Sequence, residues 1–190
     1  MVTWREFEQE QSALASVGRQ QFYQHGMGLG FIATVRQDGW PRVHPVCPVI
    51  SKAGLHVLIL PGPKRGDLRR DGRYSLHTEM FPPPRQDDGF AVTGRATEIT
   101  DQGVWYIVRD QVLEDFGELW PDYENLTLFE LSVESCLLTL THPDADFPKG
   151  PTIWKASIPS VKIPLATLIT AASAITSERR SAMTRKPACC

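Results

Sequence analysis

The stretch FIATVRQDGWPRVHPV, from Phe31 to Val46, decides how this chain is expected to fold. Phe31–Val35 is a short apolar and β-branched run, and Gln37-Asp38-Gly39 is typical of a tight hairpin turn. A second strand pattern follows from Pro41 to Ser51. The stretch therefore predicts a β-hairpin, with further strands on its C-terminal side.

Strand patterns recur along the chain after this hairpin. They cover Leu55–Leu60, Arg73–Glu79, Phe90–Thr100, Thr127–Thr141 and Thr152–Lys155. Three consecutive prolines place Met80–Asp88 in a loop, and Gly94 is expected at a bulge or a close backbone approach. About seven strand segments joined mostly by turns predict a predominantly antiparallel sheet, closed into a barrel with helices at its edges.

Three helices are predicted between and before these strands. Thr3 to about His25 has apolar residues at helical spacing, with Thr3 as a cap. Pro63 suits a first helical position, so a short helix is expected from Pro63 to about Gly72. Gly103 to about Gly117 has an apolar face and is interpreted as a crossover helix.

Length and composition indicate one soluble domain, residues 1–156, and a tail, residues 157–190, that is poorly ordered or loosely docked. The chain has 190 residues, of which 42% are hydrophobic and 22% charged. Its start lacks a signal-peptide pattern, and the apolar run Leu165–Ile175 is shorter than the roughly 20 residues that span a bilayer. The cysteines include no CxxC pair, which favours a cytoplasmic location without membrane attachment.

The segment KRGDLRRDGR, Lys64–Arg73, holds five basic and two acidic side chains in a chain of net charge −2. At the start of a helix, free N–H groups and a lysine can hold a phosphate. A solvated basic helix is the alternative interpretation. The near-neutral total argues against nucleic-acid binding, so the segment is expected to hold one small anion.

Taken in order, these segments resemble the pyridoxamine 5'-phosphate oxidase-related flavoproteins of the FMN-binding split-barrel fold. The resemblance is carried by FIATVRQDGWPRVHPV, LHVLILPGPKRGDLRRDGRYSLHTE and FAVTGRATEIT. It is firm over Phe31–Thr100, looser over Thr3–Ala156, and includes the ending Ile153-Trp154-Lys155. It implies a mainly β fold with flanking helices, a six- to seven-stranded antiparallel split β-barrel, with FMN at a homodimer interface.

The resemblance also implies a set of cofactor-binding residues. Lys64 matches the lysine that contacts the flavin phosphate, and Leu60 and Pro61 match the strand end beside it. Trp154 matches an aromatic residue near the partner subunit's flavin, and Arg65 or Arg69 is expected to replace an arginine where this chain has Pro63. The strand whose backbone follows the isoalloxazine ring is matched by Arg42, Val43, His44, Pro45 and Val46.

Two departures concern the substrate. Gly89 stands where pyridoxamine-phosphate oxidases have a glutamine, and no Arg-x-His motif follows Trp154. Oxidation of pyridoxamine phosphate itself is therefore not expected. The expected substrate is another small organic molecule.

Several individual side chains have both a functional and a structural interpretation. His44 is either a structural strand residue or a cofactor contact, and His77 is explained equally well by packing. Cys47 lies in an apolar strand pattern, which disfavours a nucleophile. No catalytic residue is assigned. No metal site is predicted either, because the oxygen-rich loop with His142, Asp144 and Asp146 lacks the spacing of a calcium site. Arg42 is the expected cation beside the flavin ring.

The residues and the resemblance together leave three functions open. The first is an FMN-dependent oxidoreductase that transfers hydride to or from a small molecule. The second uses F420, whose longer acidic tail could engage Arg65, Arg69, Arg70 and Arg73. The third is a flavin- or haem-binding protein without catalysis.

Overall fold

A computed structural model of the chain describes residues 1–83, 85, 87–120, 123–141 and 150–157. Within these ranges the helices are α1 (Trp4–Glu10), α2 (Ser12–Phe22), α3 (Pro63–Arg70) and α4 (Gln102–Phe116), with a 3-10 turn at Tyr123–Asn125. The strands are β1 (Gly30–Val35), β2 (Pro41–Val46), β3 (Pro48–Ser51), β4 (Gly54–Ile59), β5 (Arg73–Thr78), β6 (Gly89–Glu98), β7 (Thr127–Leu131), β8 (Ser135–Leu140) and β9 (Gly150–Lys155).

All the strand pairs that join these elements are antiparallel. A path of seven strands runs in the order β2-β1-β5-β6-β7-β4-β3, and β8 pairs with both β6 and β9. The resulting sheet curls into a half-barrel flanked by helices. The predicted fold class, a mainly β split barrel with antiparallel strands, is confirmed.

The predicted N-terminal helix is two helices. Gln11 leaves the helical conformation, with φ −135° and ψ 53°, and separates α1 from α2. Thr3 caps α1 as predicted: its hydroxyl accepts from the Glu6 N–H at 3.2 Å, and the Glu6 carboxylate accepts from the Thr3 N–H at 2.7 Å. The break lets Phe7 on α1 and Phe22 on α2 bury their rings completely in the same core.

Two predicted strands are each divided in the structure. The stretch Pro41–Ser51 breaks at Cys47, because β2 pairs with β1 whereas β3 pairs with β4 in the other half of the barrel. The stretch Thr127–Thr141 divides between β7 and β8, which both pair along the same strand, β6. Division of two long strands explains why the described part of the chain has nine strands.

The division between β7 and β8 is a bulge opposite Gly94. Ala96 faces Leu131 and Thr93 faces Ser135, so three steps along β6 are matched by four on the other side. A side chain at Gly94 would place its Cβ 1.8 Å from the Ser132 carbonyl oxygen. The predicted close backbone approach at Gly94 is confirmed.

Helix α4 matches its prediction in extent but not in topology. Asp101 caps its start by accepting from the Val104 N–H at 2.9 Å, and Gly117 ends it with φ 76°. The helix connects β6 to β7, which are antiparallel neighbours, so it is not a crossover between parallel strands.

The core is organised by rows of directly paired residues across the half-barrel. The inward row runs across six strands through His44, Ile32, Leu76, Val92, Cys136 and Trp154. On the opposite face of the same six strands lies a row formed by Pro45, Phe31, His77, Ala91, Leu137 and Ile153. His44 therefore shares the inward face of β2 with Arg42 and Val46.

Two predictions fall on residues outside the described ranges. They are the oxygen-rich loop with His142, Asp144 and Asp146, and the tail beyond Ser157. Among the helices of the described ranges, none combines the length and apolar character needed to cross a bilayer.

Candidate functional site

An apolar cavity of about 410 Å³ lies where the ends of β2 and β4 meet the start of α3. Its wall is completed by two residues that follow α4. This space is called the cavity below. It is lined by His44, Pro45, Val46, Cys47, Leu58, Leu60, Pro61, Gly62, Pro63, Lys64, Trp120 and Leu126.

The turn between β4 and α3 exposes the start of the helix to the cavity. Gly62 has φ 155° and ψ −175°, a conformation available almost only to glycine, and apart from its chain neighbours no atom of the described residues lies within 4 Å of where a Cβ would stand. Pro63 then occupies the first turn of the helix, as predicted. Backbone N–H groups of this turn are thus accessible to an anion.

Lys64 is the cation of the cavity. Its Nζ donates to the Pro45 carbonyl oxygen at 3.3 Å, and no carboxylate lies within ion-pair distance of it among the described residues. Burial lowers the pKa of its ammonium group. A partly desolvated, uncompensated cation favours a bound anion.

His44 brings an unsatisfied polar atom to the same cavity. Its Nε2 is buried and has no hydrogen-bond partner among the described residues. Burial lowers the pKa of the ring, and the charges of Lys64 and Arg42 lower it further. The imidazole is therefore neutral at neutral pH and can donate to or accept from a ligand.

Arg42 lies beside the cavity instead of lining it. Its Nε donates to the buried carboxylate of Asp67 at 2.8 Å, and it lines a neighbouring cleft of about 650 Å³. This arginine cleft is formed by Arg36, Gln37, Asp38, Arg42, Pro63, Gly66, Asp67 and Arg70. Pro63 is common to the cleft and the cavity.

Asp67 organises the cleft from within α3. Burial alone would raise the pKa of its carboxyl, but hydrogen bonds from Arg42, Arg70 and Thr34 outweigh burial and hold that pKa below its ordinary value. The distances to Arg70 Nη1 and the Thr34 hydroxyl are both 3.2 Å. The charge run of α3 is thus partly neutralised inside the protein.

The other arginines of the basic segment also have partners. Arg69 makes a two-point contact with Glu98 at 2.6 and 2.7 Å, and Arg73 makes one with Asp71 at 2.6 and 2.9 Å. Arg65 donates to the Thr127 hydroxyl at 3.3 Å. Lys64 is therefore the cation of this segment that lines the cavity.

Six of the ten predicted cofactor-binding residues come together in the cavity: His44, Pro45, Val46, Leu60, Pro61 and Lys64. Val43 points to the other face of β2 and is 62% exposed. Trp154 faces inward, with its ring 4.8 Å from the ring of Phe7. Its predicted role beside a partner subunit's flavin stays a prediction.

The sequence interpretation missed two large residues of the wall. Trp120 and Leu126 belong to the segment between α4 and β7, and the Trp120 ring packs at 4.8 Å against Phe116. The aromatic-rich stretch after the glycine that ends α4 was their only signal. Gly89 also has a local explanation, since a Cβ there would lie 2.9 Å from His77 Cε1.

No family model and no curated protein matches the chain. Solved structures do match: the conserved hypothetical protein Rv2991 of Mycobacterium tuberculosis has a TM-score of 0.53 and 17% identity, over 64% of this chain and 81% of that one. HutZ of Vibrio cholerae, a haem storage protein, has a TM-score of 0.52 and 22% identity over 61% and 87%. ChuZ of Campylobacter jejuni has a TM-score of 0.58 and 9% identity, over 76% of this chain and 60% of that one. These likenesses establish the split-barrel fold.

Proposed function

We propose that the chain is a flavin-dependent oxidoreductase that binds FMN in the cavity and acts on a small organic substrate. The observation that carries this proposal is Lys64, a half-buried cation without a carboxylate partner in the described ranges, set in the first turn of α3. One anionic group at this point would compensate the charge.

The polar end of the cavity suits a phosphate. Lys64 and the N–H groups after Gly62 would hold it, and each hydrogen bond to a charged group contributes about 1.5–3 kcal/mol. The open space at Gly62 permits close approach of the phosphate to the backbone.

The apolar end suits a flat ring. Val46, Leu58 and Trp120 line it, and a volume of about 410 Å³ lies within the usual range for cofactor sites. His44 Nε2 would gain the hydrogen bond it lacks by contacting a polar atom of the ring. When bound, FMN supplies hydride transfer at its ring. The substrate is not pyridoxamine phosphate, given the two departures from that enzyme's pattern.

A homodimer forms part of this proposal. The outward face of the six-stranded region exposes large apolar side chains in one row, with Phe31 41%, Leu137 38% and Ile153 64% exposed. Strand β2 is also an edge, paired only with β1 among the described strands. A second copy is the occupant that would cover this row and the edge together. A cytoplasmic location remains the expectation for such an enzyme.

Haem binding without catalysis is the second candidate, and His44 favours it. A neutral imidazole with an unpartnered Nε2 in an apolar cavity is suited to ligate iron. F420 remains an alternative cofactor in the same cavity, but Arg65, Arg69 and Arg73, three of the arginines expected to hold its acidic tail, are engaged elsewhere.

The deciding experiment is titration of the full chain with FMN, in which flavin fluorescence reports binding. Lys64→Gln should weaken FMN binding about 10- to 100-fold, as loss of one charged hydrogen bond predicts. Lys52→Gln changes an exposed lysine in the β3–β4 turn and should leave the affinity unchanged.

Parallel titrations separate the alternatives. Haem absorption that shifts on binding and is lost in His44→Ala, with no FMN binding, would replace the flavin proposal by the haem candidate. Protein that binds neither FMN, F420 nor haem would contradict all three. Light scattering should give about twice the 21.3 kDa mass, and a monomer that retains FMN would contradict the dimer.

A further inference from the structure

The arginine cleft gathers three guanidinium groups from separate parts of the chain. Arg36 lies in the β1–β2 turn, Arg42 on β2 and Arg70 at the end of α3. Their side chains are 45%, 29% and 39% exposed, so each is partly desolvated and still accessible from the cleft. No single helix or strand requires these three guanidinium groups to lie in one cleft.

A buried carboxylate fixes two of these arginines. The Asp67 side chain is 6% exposed and holds Arg42 and Arg70 through separate oxygens. Arg70 also donates its other terminal nitrogen to the Val35 carbonyl oxygen. The guanidinium groups are therefore preorganised, which lowers the entropy cost of ligand binding.

Donor capacity remains after these contacts. Arg42 uses only its Nε, so both of its terminal nitrogens are available within the described structure. Arg36 uses one terminal nitrogen, at 2.8 Å from Asp38, whose side chain is half-exposed. A Cβ added to Gly66 on the cleft wall would have no atom of the described chain within 4 Å outside the backbone of α3 itself, which leaves open space beside the helix.

The charge balance of the cleft is positive. Three arginines face two aspartates, and the carboxylate of Asp67 is already committed to internal bonds. An anion with several oxygens would accept hydrogen bonds from the free guanidinium N–H groups through two-point contacts. A neutral ligand would leave this arrangement uncompensated.

We propose that the arginine cleft is a second anion site, separate from the cavity, that binds the carboxylate or phosphate group of a small organic anion. Arg42 and His44 are two residues apart on β2, roughly 7 Å along the strand, and Pro63 borders both spaces. If the cavity holds the cofactor, the cleft selects an acidic substrate beside it. That last step rests on the proposed function, whereas the anion site itself does not.

The test uses the guanidinium Nε–H signals of the full-length, isotope-labelled protein in NMR titrations with inorganic phosphate and with succinate, each at constant ionic strength. Signals of Arg36, Arg42 and Arg70 should shift saturably with at least one probe, and the responding probe identifies the chemical group. Arg36→Gln should weaken that binding at least threefold. Arg109→Gln, which removes an arginine of similar exposure paired with Asp110, should not.

Two further arms keep the site distinct from the cavity. Lys64→Gln should retain anion binding in the cleft, and so should protein loaded with FMN. Absence of saturable shifts, equal effects of Arg36→Gln and Arg109→Gln, or loss of cleft binding on FMN loading would each overturn the proposal. Cleft binding in a protein that fails to bind FMN would support the anion site and contradict the proposed function.

Discussion

His56 makes the stability of the fold sensitive to mild acid. The residue lies on β4, 1% exposed, with its Nδ1 buried and without a hydrogen-bond partner in the described ranges. Burial lowers the pKa of its ring to about 4, and the hydrogen bond with the Gly54 backbone offsets only part of this effect. Since an unfolded chain keeps a histidine pKa near 6.5, protonation favours unfolding.

The size of the effect follows from the two pKa values. The contribution is fully present above about pH 6.5 and is lost as the pH falls toward 4, because the unfolded state takes up the proton first. At pH 5 the unfolded chain is almost fully protonated at this position and the folded chain only about one tenth. The free energy of unfolding should therefore fall by about 2 kcal/mol between pH 8 and pH 5 through this residue.

Urea denaturation of wild type and His56→Leu at pH 8, 6.5 and 5 measures this contribution. The difference in unfolding free energy between the two proteins should change by about 2 kcal/mol from pH 8 to pH 5, in favour of the variant. Glu130 pairs with His56 across β4 and β7, and burial raises the pKa of its carboxyl. Because Glu130 is present in both proteins, the part of its titration that does not depend on His56 cancels in the comparison.

A second variant guards against a general effect of destabilisation. Val57→Ala removes buried apolar volume on the same strand without removing a titratable group, and its difference from wild type should not vary with pH. Parallel pH profiles for wild type and His56→Leu would refute the reasoning from burial.

Two other predictions concern the cleft and the bulge. Asp67→Asn should lower the unfolding free energy by about 2–3 kcal/mol, because Arg42 and Arg70 lose the buried carboxylate that balances their charge, whereas the exposed Asp38→Asn should change it by less than about 0.5 kcal/mol in the same urea titration. Equal effects would contradict the role given to Asp67. Gly94→Ala should lose more than about 3 kcal/mol or fail to fold, since its Cβ would overlap the Ser132 carbonyl, while Gly66→Ala in an open helical position should raise stability by about 0.5–1 kcal/mol in thermal melts. A Gly94→Ala variant with native stability would contradict the close approach.

Local patterns were sufficient for most elements of the fold. The Asp38-Gly39 turn, the alternation along β5 and β6, and Pro63 at the start of α3 each act within a few residues, so their signals are visible in sequence. The breaks at Cys47 and at residues 132–134 are different. Both lie within continuous strand patterns, and only pairing with distant strands determines where each strand bends.

The candidate site was predictable where it follows the order of strands. Lys64 and Leu60 lie at the ends of elements and His44 lies within β2, and the strand order implies where these elements meet. Trp120 approaches them through the path of the chain after α4, which no local pattern specifies. Likewise, a run of charges does not indicate that Asp67 is buried and bonded to Arg42 on another strand.

The pairing of β6 has a consequence for how the chain folds during synthesis. The edge of β6 opposite β5 pairs with β7 and β8, which are synthesised later. One edge of β4 likewise stays unpaired until β7 is synthesised. Forty-two residues separate Glu98, the end of β6, from Leu140, the end of β8. At ribosomal rates of about 5–20 residues per second, the growing chain exposes these apolar strand edges for roughly 2–8 s. During that interval the half-made barrel is open to pairing with another nascent chain.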